Sequence, residues 1–261
     1  MPERAIPPEV VALCENAQSY GPRWPGSELI RRDGFDIWLG PPIYPGLSVV
    51  LNLRTDDAAA ALDDARAYLR DRGRTWANWM IGSSSPPNLV TDLRNLGLTD
   101  DIDPILRGLV IGEEPHGVDR SVEVRRATTV DDLYAFFRVQ QIAFGDDRNA
   151  DPTGAEHIDA MYAAERERDD IRTYLGYLDG EPVATARATF AQHGVVMNGG
   201  STLPHARGRG IYRALVAARW DDAVARGTPY LTTVARPMSA PILERMGFVE
   251  VCTVRVMNDA L

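Results

Sequence analysis

Apolar and polar positions along the chain change period several times, and each change marks an element. Thr173–Leu178 and Pro182–Phe190 alternate in the manner of half-buried strands, and Asp179-Gly180 between them is a strong hairpin signal. Gly194–Thr202 predicts the next strand. Ile211, Leu215 and Ala218 then recur at helical spacing, which predicts a helix to about Ala225 and a turn at Arg226-Gly227. Tyr230–Val234 reads as a strand, and Ser239–Glu244 opens a further helix. Upstream, Val122–Arg126 reads as a strand. Thr128-Thr129-Val130-Asp131-Asp132 is a capped start for a helix running toward Phe144. Gly145–Pro152 has loop composition, and Ala155–Arg168 predicts a second helix.

The first half echoes this plan. Leu47–Leu53 predicts a strand, Asp56–Arg72 an alanine-rich amphipathic helix, Thr75–Ile81 a strand and Asn88–Leu96 a short helix. Asp71-Arg72-Gly73 matches Ala225-Arg226-Gly227, and Leu96-Gly97-Leu98 matches Met246-Gly247-Phe248. Gly73 to Gly97 spans 24 positions and Gly227 to Gly247 spans 20. A repeat explains the echo; so does a generic strand–helix–strand–helix domain. Glu113-Glu114-Pro115-His116-Gly117 has loop composition, which puts a boundary near Pro115–Arg120 and predicts domains over residues 1–118 and 119–261.

The segment Thr202-Leu203-Pro204-His205-Ala206-Arg207-Gly208-Arg209-Gly210-Ile211-Tyr212 carries the chemistry. Glycines let backbone approach a ligand with no Cβ between them, and the amides opening a helix face outward toward negative charge. Arg207 and Arg209 add positive charge, so this turn reads as a pyrophosphate cradle. A tight turn with no ligand would use the same residues. The Gly-Lys-Ser/Thr of a P-loop is absent, and Arg213 stands where a dinucleotide fingerprint needs its third glycine.

With the downstream run Ser239-Ala240-Pro241-Ile242-Leu243-Glu244-Arg245-Met246-Gly247-Phe248, the order of elements resembles the GNAT superfamily of acyl-CoA N-acyltransferases from roughly Val122 onward. The resemblance implies a mixed α/β fold, a central sheet with flanking helices. The first half would be a degenerate GNAT-like domain, since Arg54-Thr55-Asp56-Asp57 replaces the Arg-Gly-Arg-Gly run and its carboxylates repel pyrophosphate. It implies acetyl-CoA as cosubstrate, without a metal. Backbone amides from Arg207 through Gly208, Arg209, Gly210 and Ile211 to Tyr212 would take the pyrophosphate, and Ser201, Thr202 and Leu203 would face the pantetheine arm. Asn198-Gly199-Gly200-Ser201 marks the strand bulge whose splayed backbone gives an amide to the thioester oxygen.

Three positions depart from the family's pattern. His205 opens the cradle where Gln or Arg is usual. Leu243 stands where a Tyr often serves as general acid to the thiolate, which leaves Ser239 first, then Tyr212 and Tyr230, as donors. Arg236 takes the place of a CoA-contacting Asn. Ser239 also suits a plain helix N-cap. Asp146 and Asp147 follow the first helix, where acceptors often bind, but a solvated carboxylate pair has the same composition. The reading that follows is acetyl transfer to a primary amine, on a small molecule or a peptide, by direct attack. A catalytically weak acyl-CoA-binding or regulatory module, and a transferase of longer acyl groups, stay open beside it.

Bulk properties narrow the partners. A net charge of -9 argues against nucleic acid and would suit a cationic amine, although a solvated acidic surface is the commoner source of such a charge. No apolar run approaches a membrane span and the first residues lack a signal peptide, so the expected compartment is the cytoplasm and the expected state a monomer or homodimer. Cys14 and Cys252 fit no metal or redox motif, and the spacing of His116, His157, His193 and His205 suits no zinc site. Trp76 and Trp79 read as core or interface residues, and Trp220 as packing.

Overall fold

The computed structural model describes residues 5–21, 23–42, 44, 46–144 and 155–261, with the side chains of residues 155 and 156 left aside. The chain is mixed α/β and divides into two compact units. One holds Val110–Thr233 and Ile242–Val249 with the residues up to Val10; the other holds Val11–Leu109, Val234–Pro241 and Glu250–Leu261. No helix among the described residues is long and apolar enough to cross a membrane.

In the unit centred on Val11–Leu109, the chain follows helix α1 (Pro8–Glu15) with a hairpin, β1 (Glu28–Arg32) and β2 (Phe35–Leu39), joined by Asp33-Gly34. Strand β3 (Ser48–Leu51), helix α2 (Ala58–Asp71), strand β4 (Trp76–Gly82), helix α3 (Leu89–Asn95) and the long strand β5 (Thr99–Ile111) follow. The order β1-β2-β3-β4 is antiparallel except for β3 and β4, which run parallel and share only Val49↔Asn78 and Val50↔Trp79. Apolar residues of α2 and α3, including Leu62, Leu69 and Leu93, close over Ile37, Val50 and Trp79. Trp79 is fully buried, whereas Trp76 on the same strand is 38% exposed, so only one of the two joins the core.

The C-terminal strand, β11 (Val249–Ala260), completes this unit by pairing antiparallel with β4 from Val254↔Gly82 to Ala260↔Trp76. Asp259 on β11 is 1% exposed and receives the Arg66 guanidinium of α2 through Nε at 3.1 Å and Nη2 at 2.6 Å. Hydrogen bonding to the carboxylate raises the Arg66 pKa against the opposing effect of burial. Cys252, also on β11, and Cys14 are buried free thiols.

In the other unit, β6 (Val124–Arg126), α4 (Val130–Ala143), α5 (Ala155–Arg166), β7 (Ile171–Leu178), β8 (Glu181–Ala191), β9 (Gly194–Thr202), α6 (Ile211–Ala225) and β10 (Leu231–Ala235) follow in order, and α7 (Ala240–Glu244) comes last. The sheet order is β10-β9-β8-β7-β6, antiparallel throughout except for parallel β9 and β10. Thr129 and Asp132 form a reciprocal capping box that starts α4. Asp179 and Gly180 both take positive φ, +52° and +82°, as a two-residue hairpin turn requires. Ile211 and Leu215 bury α6 against β7, where Gly176 leaves room: a Cβ there would lie 2.4 Å from Ile211 Cγ2. Ala218 is only half-buried; Arg219 and Trp220 take the buried surface instead.

Helical and strand periods thus appear where they are expected, with ends displaced by no more than two residues. The two units repeat one plan, three antiparallel strands, a helix, a parallel strand and a short helix.

The Arg66–Asp259 pair generates a stability prediction. Arg66→Ala would leave a nearly inaccessible carboxylate without its cation, so we expect a loss of about 3–5 kcal/mol, read by urea denaturation. Asp259→Asn should cost less, because a neutral amide leaves no buried charge.

Candidate active site

Two features of β9 place a site at the end of this strand. First, its ladder with β10 is short. Only Val195↔Leu231 and Val196↔Thr232 pair, and one side-chain bond, Thr233 Oγ1 donating to Met197 O at 3.1 Å, extends the contact. β9 nevertheless runs on to Thr202. Second, the ladder with β8 skips. Arg187 faces Asn198 but Thr185 faces Ser201, so β9 holds one extra residue and bulges at Gly199-Gly200.

Gly199 sits at φ +59°, and a Cβ on it would lie 2.9 Å from Gln140 Nε2 and 3.3 Å from Phe136 Cζ. Its carbonyl accepts from Gln140 Nε2 at 2.7 Å and from Thr185 Oγ1 at 3.1 Å. Ser201 is buried and its hydroxyl shares a bond with Thr185 Oγ1 at 2.8 Å. Asn198 Oδ1 and Thr202 Oγ1, four residues apart on β9, are buried and make no hydrogen bond among the described residues. Buried polar atoms are normally paired, so both fit a ligand that brings its own amides.

Beyond Leu203 a single 3₁₀ turn, Pro204–Ala206, leads into the glycine run. Arg207 donates through Nε to Thr202 O at 3.2 Å and stays exposed, as does Arg209. Gly208 and Gly210 take φ +78° and +79°, left-handed values that suit residues without a Cβ. Gly210 is the N-cap of α6 and has no side chain to cap it. The amides of Gly208, Arg209 and Gly210 make no hydrogen bond among the described residues, and Ile211, Tyr212 and Arg213 occupy the first turn, whose amides a helix leaves free. This is a row of outward N–H groups at the positive end of a fifteen-residue helix, flanked by two guanidinium groups.

The matching helix start in the other unit is closed. Asp57 caps α2, its Oδ1 accepting from the amide of Ala60 at 3.0 Å, and Thr55 Oγ1 accepts from the Asp57 amide at 3.1 Å. One of the first-turn amides there, that of Ala60, is taken by the chain's own carboxylate.

The three expected proton donors lie in different settings. Tyr212 is half-buried, with its ring against the bulge: a Cβ on Gly200 would lie 3.3 Å from Tyr212 Cε2. Burial raises its phenol pKa, opposed by the Arg219 cation, so the group stays protonated near neutrality. Tyr230 opens β10 at the paired end, its carbonyl bound to the Val195 amide at 2.8 Å, and its ring lies against Gly112. Ser239 belongs to the other unit, in a turn before α7. Its hydroxyl points back and donates to Arg236 O at 3.2 Å, so it does not cap the helix through its side chain. Arg236 itself faces Asp101 at 3.5 Å and Asp103 at 3.4 Å. Leu243 is completely buried, which leaves no donor at that position. Asp146 and Asp147 lie outside the described residues. His193 and His205 are exposed. No group of three or more His, Cys, Asp or Glu side chains among the described residues is placed to hold a metal ion.

A cluster that the sequence did not single out braces the bulge from behind. Arg187 is 2% exposed, lies over the Phe136 ring at 4.5 Å from its centroid, donates to Thr173 Oγ1 at 3.0 Å and pairs with Glu165 at 2.7 Å. It binds β7, β8, α4 and α5 together beneath Gly199. A polar residue inside an alternating strand is its only mark in the sequence, and that mark does not name its partners.

Comparison with known proteins agrees with this geometry. Residues 112–235 match the family model described as acetyltransferase (GNAT) domain. Among solved structures, a GCN5-related N-acetyltransferase from Kribbella flavida is 20% identical, with 96% of this chain and 95% of that chain covered and a TM-score of 0.69. A second GCN5-related N-acetyltransferase, from Sphaerobacter thermophilus, is 16% identical over 87% of this chain and 76% of that chain, with a TM-score of 0.64. A tandem GNAT protein from the clavulanic acid biosynthesis pathway is 14% identical over 98% of this chain and 89% of that chain, at 0.61. At such identities these likenesses speak to the fold alone. A search of curated protein sequences returns no significant match. The fold, the strand bulge and the glycine turn agree with the match of residues 112–235 to the GNAT acetyltransferase family model.

Proposed function

We propose that the chain is an acetyl-CoA-dependent N-acetyltransferase, moving an acetyl group to the primary amine of a small molecule or peptide by direct attack. The observation that carries this reading is the row of unbonded amides from Gly208 to the first turn of α6, at the end of a strand that has just left its ladder. Acetyl-CoA brings an activated acyl group, a pyrophosphate and a pantetheine arm with two amides. The residues present fit all three. The amides of Gly208, Arg209, Gly210, Ile211 and Tyr212 donate to the pyrophosphate oxygens, with Arg207 and Arg209 adding charge. Ser201, Thr202 and Leu203 lie on the pantetheine side, where the orphaned Asn198 Oδ1 and Thr202 Oγ1 find partners.

The chain's own part in the chemistry is positional and electrostatic. The amine nitrogen forms its bond to the acyl carbon, the carbon–sulfur bond breaks, the amine loses a proton and the thiolate gains one. Of the expected donors, Tyr212 is held protonated beside the bulge, while the Ser239 hydroxyl is spent on Arg236 O. Tyr212 is therefore the donor this reading prefers. One CoA site per chain follows from Asp57, which closes the helix start in the other unit. The net charge of -9 suits a cationic acceptor.

A second reading has its own support. Leu243 is packed in the core at a position where the family often carries a tyrosine, which favours a module that binds acyl-CoA without turning it over. Steady-state CoA release across an amine panel separates the two, since a sensor binds acetyl-CoA and releases none.

Gly210→Glu should abolish acetyl-CoA binding in calorimetric titration. Gly210→Ala isolates the backbone effect, about 1–2 kcal/mol of stability at a left-handed position, with no added charge. Wild-type protein should bind one acetyl-CoA per chain; two per chain, or full affinity in the Glu variant, refutes the cradle.

Tyr212→Phe keeps the ring on Gly200 and removes the proton. We expect turnover to fall about 10²–10⁴-fold, the usual worth of a positioned acid, while Ser239→Ala stays within about twofold. A fall of tenfold or more in Ser239→Ala, at unchanged melting temperature, would reverse the assignment.

A further inference from the structure

We infer that Gln140, assisted by Thr185, is a positioning residue that turns the Gly200 amide outward as the donor to the thioester carbonyl oxygen. This inference rests on the acetyl-CoA reading above and deepens it.

One peptide unit, Gly199–Gly200, sets the direction of that amide. A trans peptide is planar, so the carbonyl of one residue and the N–H of the next point in opposite directions. None of the described peptide bonds is cis. Fixing the direction of the Gly199 carbonyl therefore fixes that of the Gly200 N–H. A carbonyl oxygen has two lone pairs, and both of these are taken from within the protein, by Gln140 Nε2 of α4 at 2.7 Å and by Thr185 Oγ1 of β8 at 3.1 Å. The Gly200 amide then points away from both donors.

Neither Gly199 nor Gly200 has a Cα partner in the β8 ladder, and the β10 ladder has ended by Val196. Gly200 is exposed, and the Tyr212 ring lies beside it. An ordinary strand fixes such an amide through its ladder; at this bulge the bonded Gly199 carbonyl fixes it instead. The left-handed Gly199 that makes the turn possible has no intrinsic preference to stay there. The two side-chain donors supply that preference.

Gln140 is itself held. Phe136, one turn earlier on α4, stacks edge-on with Phe137 at 5.3 Å and lies under the Arg187 guanidinium, which is anchored to Glu165. Sliding of α4 along β8 would part the Phe136 ring from the buried Arg187. Gln140 thus reaches Gly199 from a fixed point, across 59 residues of sequence.

The test compares two ligands by calorimetric titration, acetyl-CoA and S-ethyl-CoA, a thioether of similar size without the carbonyl. Wild-type protein should prefer acetyl-CoA by about 2- to 10-fold, the net worth of one neutral hydrogen bond. In Gln140→Met, similar in length but without a donor, the preference should fall to about one while the affinity for S-ethyl-CoA stays within about twofold. CoA release should show kcat reduced at least tenfold, toward the 10²–10³ typical of a lost oxyanion donor, with KM for acetyl-CoA little changed. A purely structural glutamine would instead weaken both ligands together. Should Gln140→Met fail to fold, Thr185→Val removes the second donor and predicts the same loss of preference. A variant that keeps the wild-type preference overturns the inference, as does a wild type that binds the two ligands equally. A wild type that binds neither overturns the acetyl-CoA reading itself, and this inference with it.

Discussion

The parting of β9 from β10 after two residue pairs is the constraint on which the site depends. Parallel strands normally gain by continuing their ladder, since an unpaired backbone group must find water or another partner. Here β9 continues for several residues without that neighbour, bulges at Gly199-Gly200, and ends in a turn with two left-handed glycines. Every element around it serves to keep those exposed groups in place. α4 holds the bulge through Gln140, β8 through Thr185, and α6 is seated on β7 where Gly176 allows Ile211 a close approach. The result is a line of backbone donors whose directions are set by packing and do not depend on mobile side chains. Such preorganised dipoles act on developing charge without reorganising.

The electrostatics of the unit follow the same economy. Arg219 on α6 is wholly buried, and its Nη2 makes no hydrogen bond among the described residues. Burial lowers its pKa, and the nearby Tyr212 and Tyr174 hydroxyls work against that. Tyr174 donates to Asp222 at 2.5 Å, and burial together with that bond raises its pKa. Asp222 is held below the usual carboxylate range because the Tyr174 and Arg172 bonds outweigh its own burial. A group so depressed lends stability that is present above its unfolded pKa and is lost only as pH falls through the lower folded value. Behind its start, α6 thus buries the Arg219 guanidinium and pairs the Asp222 carboxylate with Arg172. The face in front of it presents amides.

The two units show one plan with two different helix starts. Both have three antiparallel strands, a helix and a parallel strand joined by only two residue pairs. In one, the helix begins after glycine and leaves its first amides free. In the other it begins at Asp57, whose carboxylate accepts from the Ala60 amide. Capping stabilises a helix by about 1 kcal/mol, and here the bond that stabilises α2 also occupies the Ala60 amide.

Much of this was determined by sequence alone, because the relevant interactions are local. The glycine turn before α6, the hairpin at Asp179-Gly180 and the capping box at Thr129 each involve residues within a few positions of one another, so composition and spacing carry their geometry. Gly199-Gly200 declared a bulge for the same reason. The Asp33-Gly34 hairpin carried an equally local signal, between the apolar runs of β1 and β2, although the first pattern of elements began only at Leu47. The pairing of β11 with β4 was decided by tertiary structure, across some 180 residues, and was secured by Arg66 and Asp259, 193 residues apart. So were the grip of Gln140 on Gly199 and the bracing by Arg187. A period of two says that a strand has a buried face, but it does not say which strand lies beside it. A polar residue in an apolar run says that a partner exists, but only the packed chain brings that partner within 3 Å.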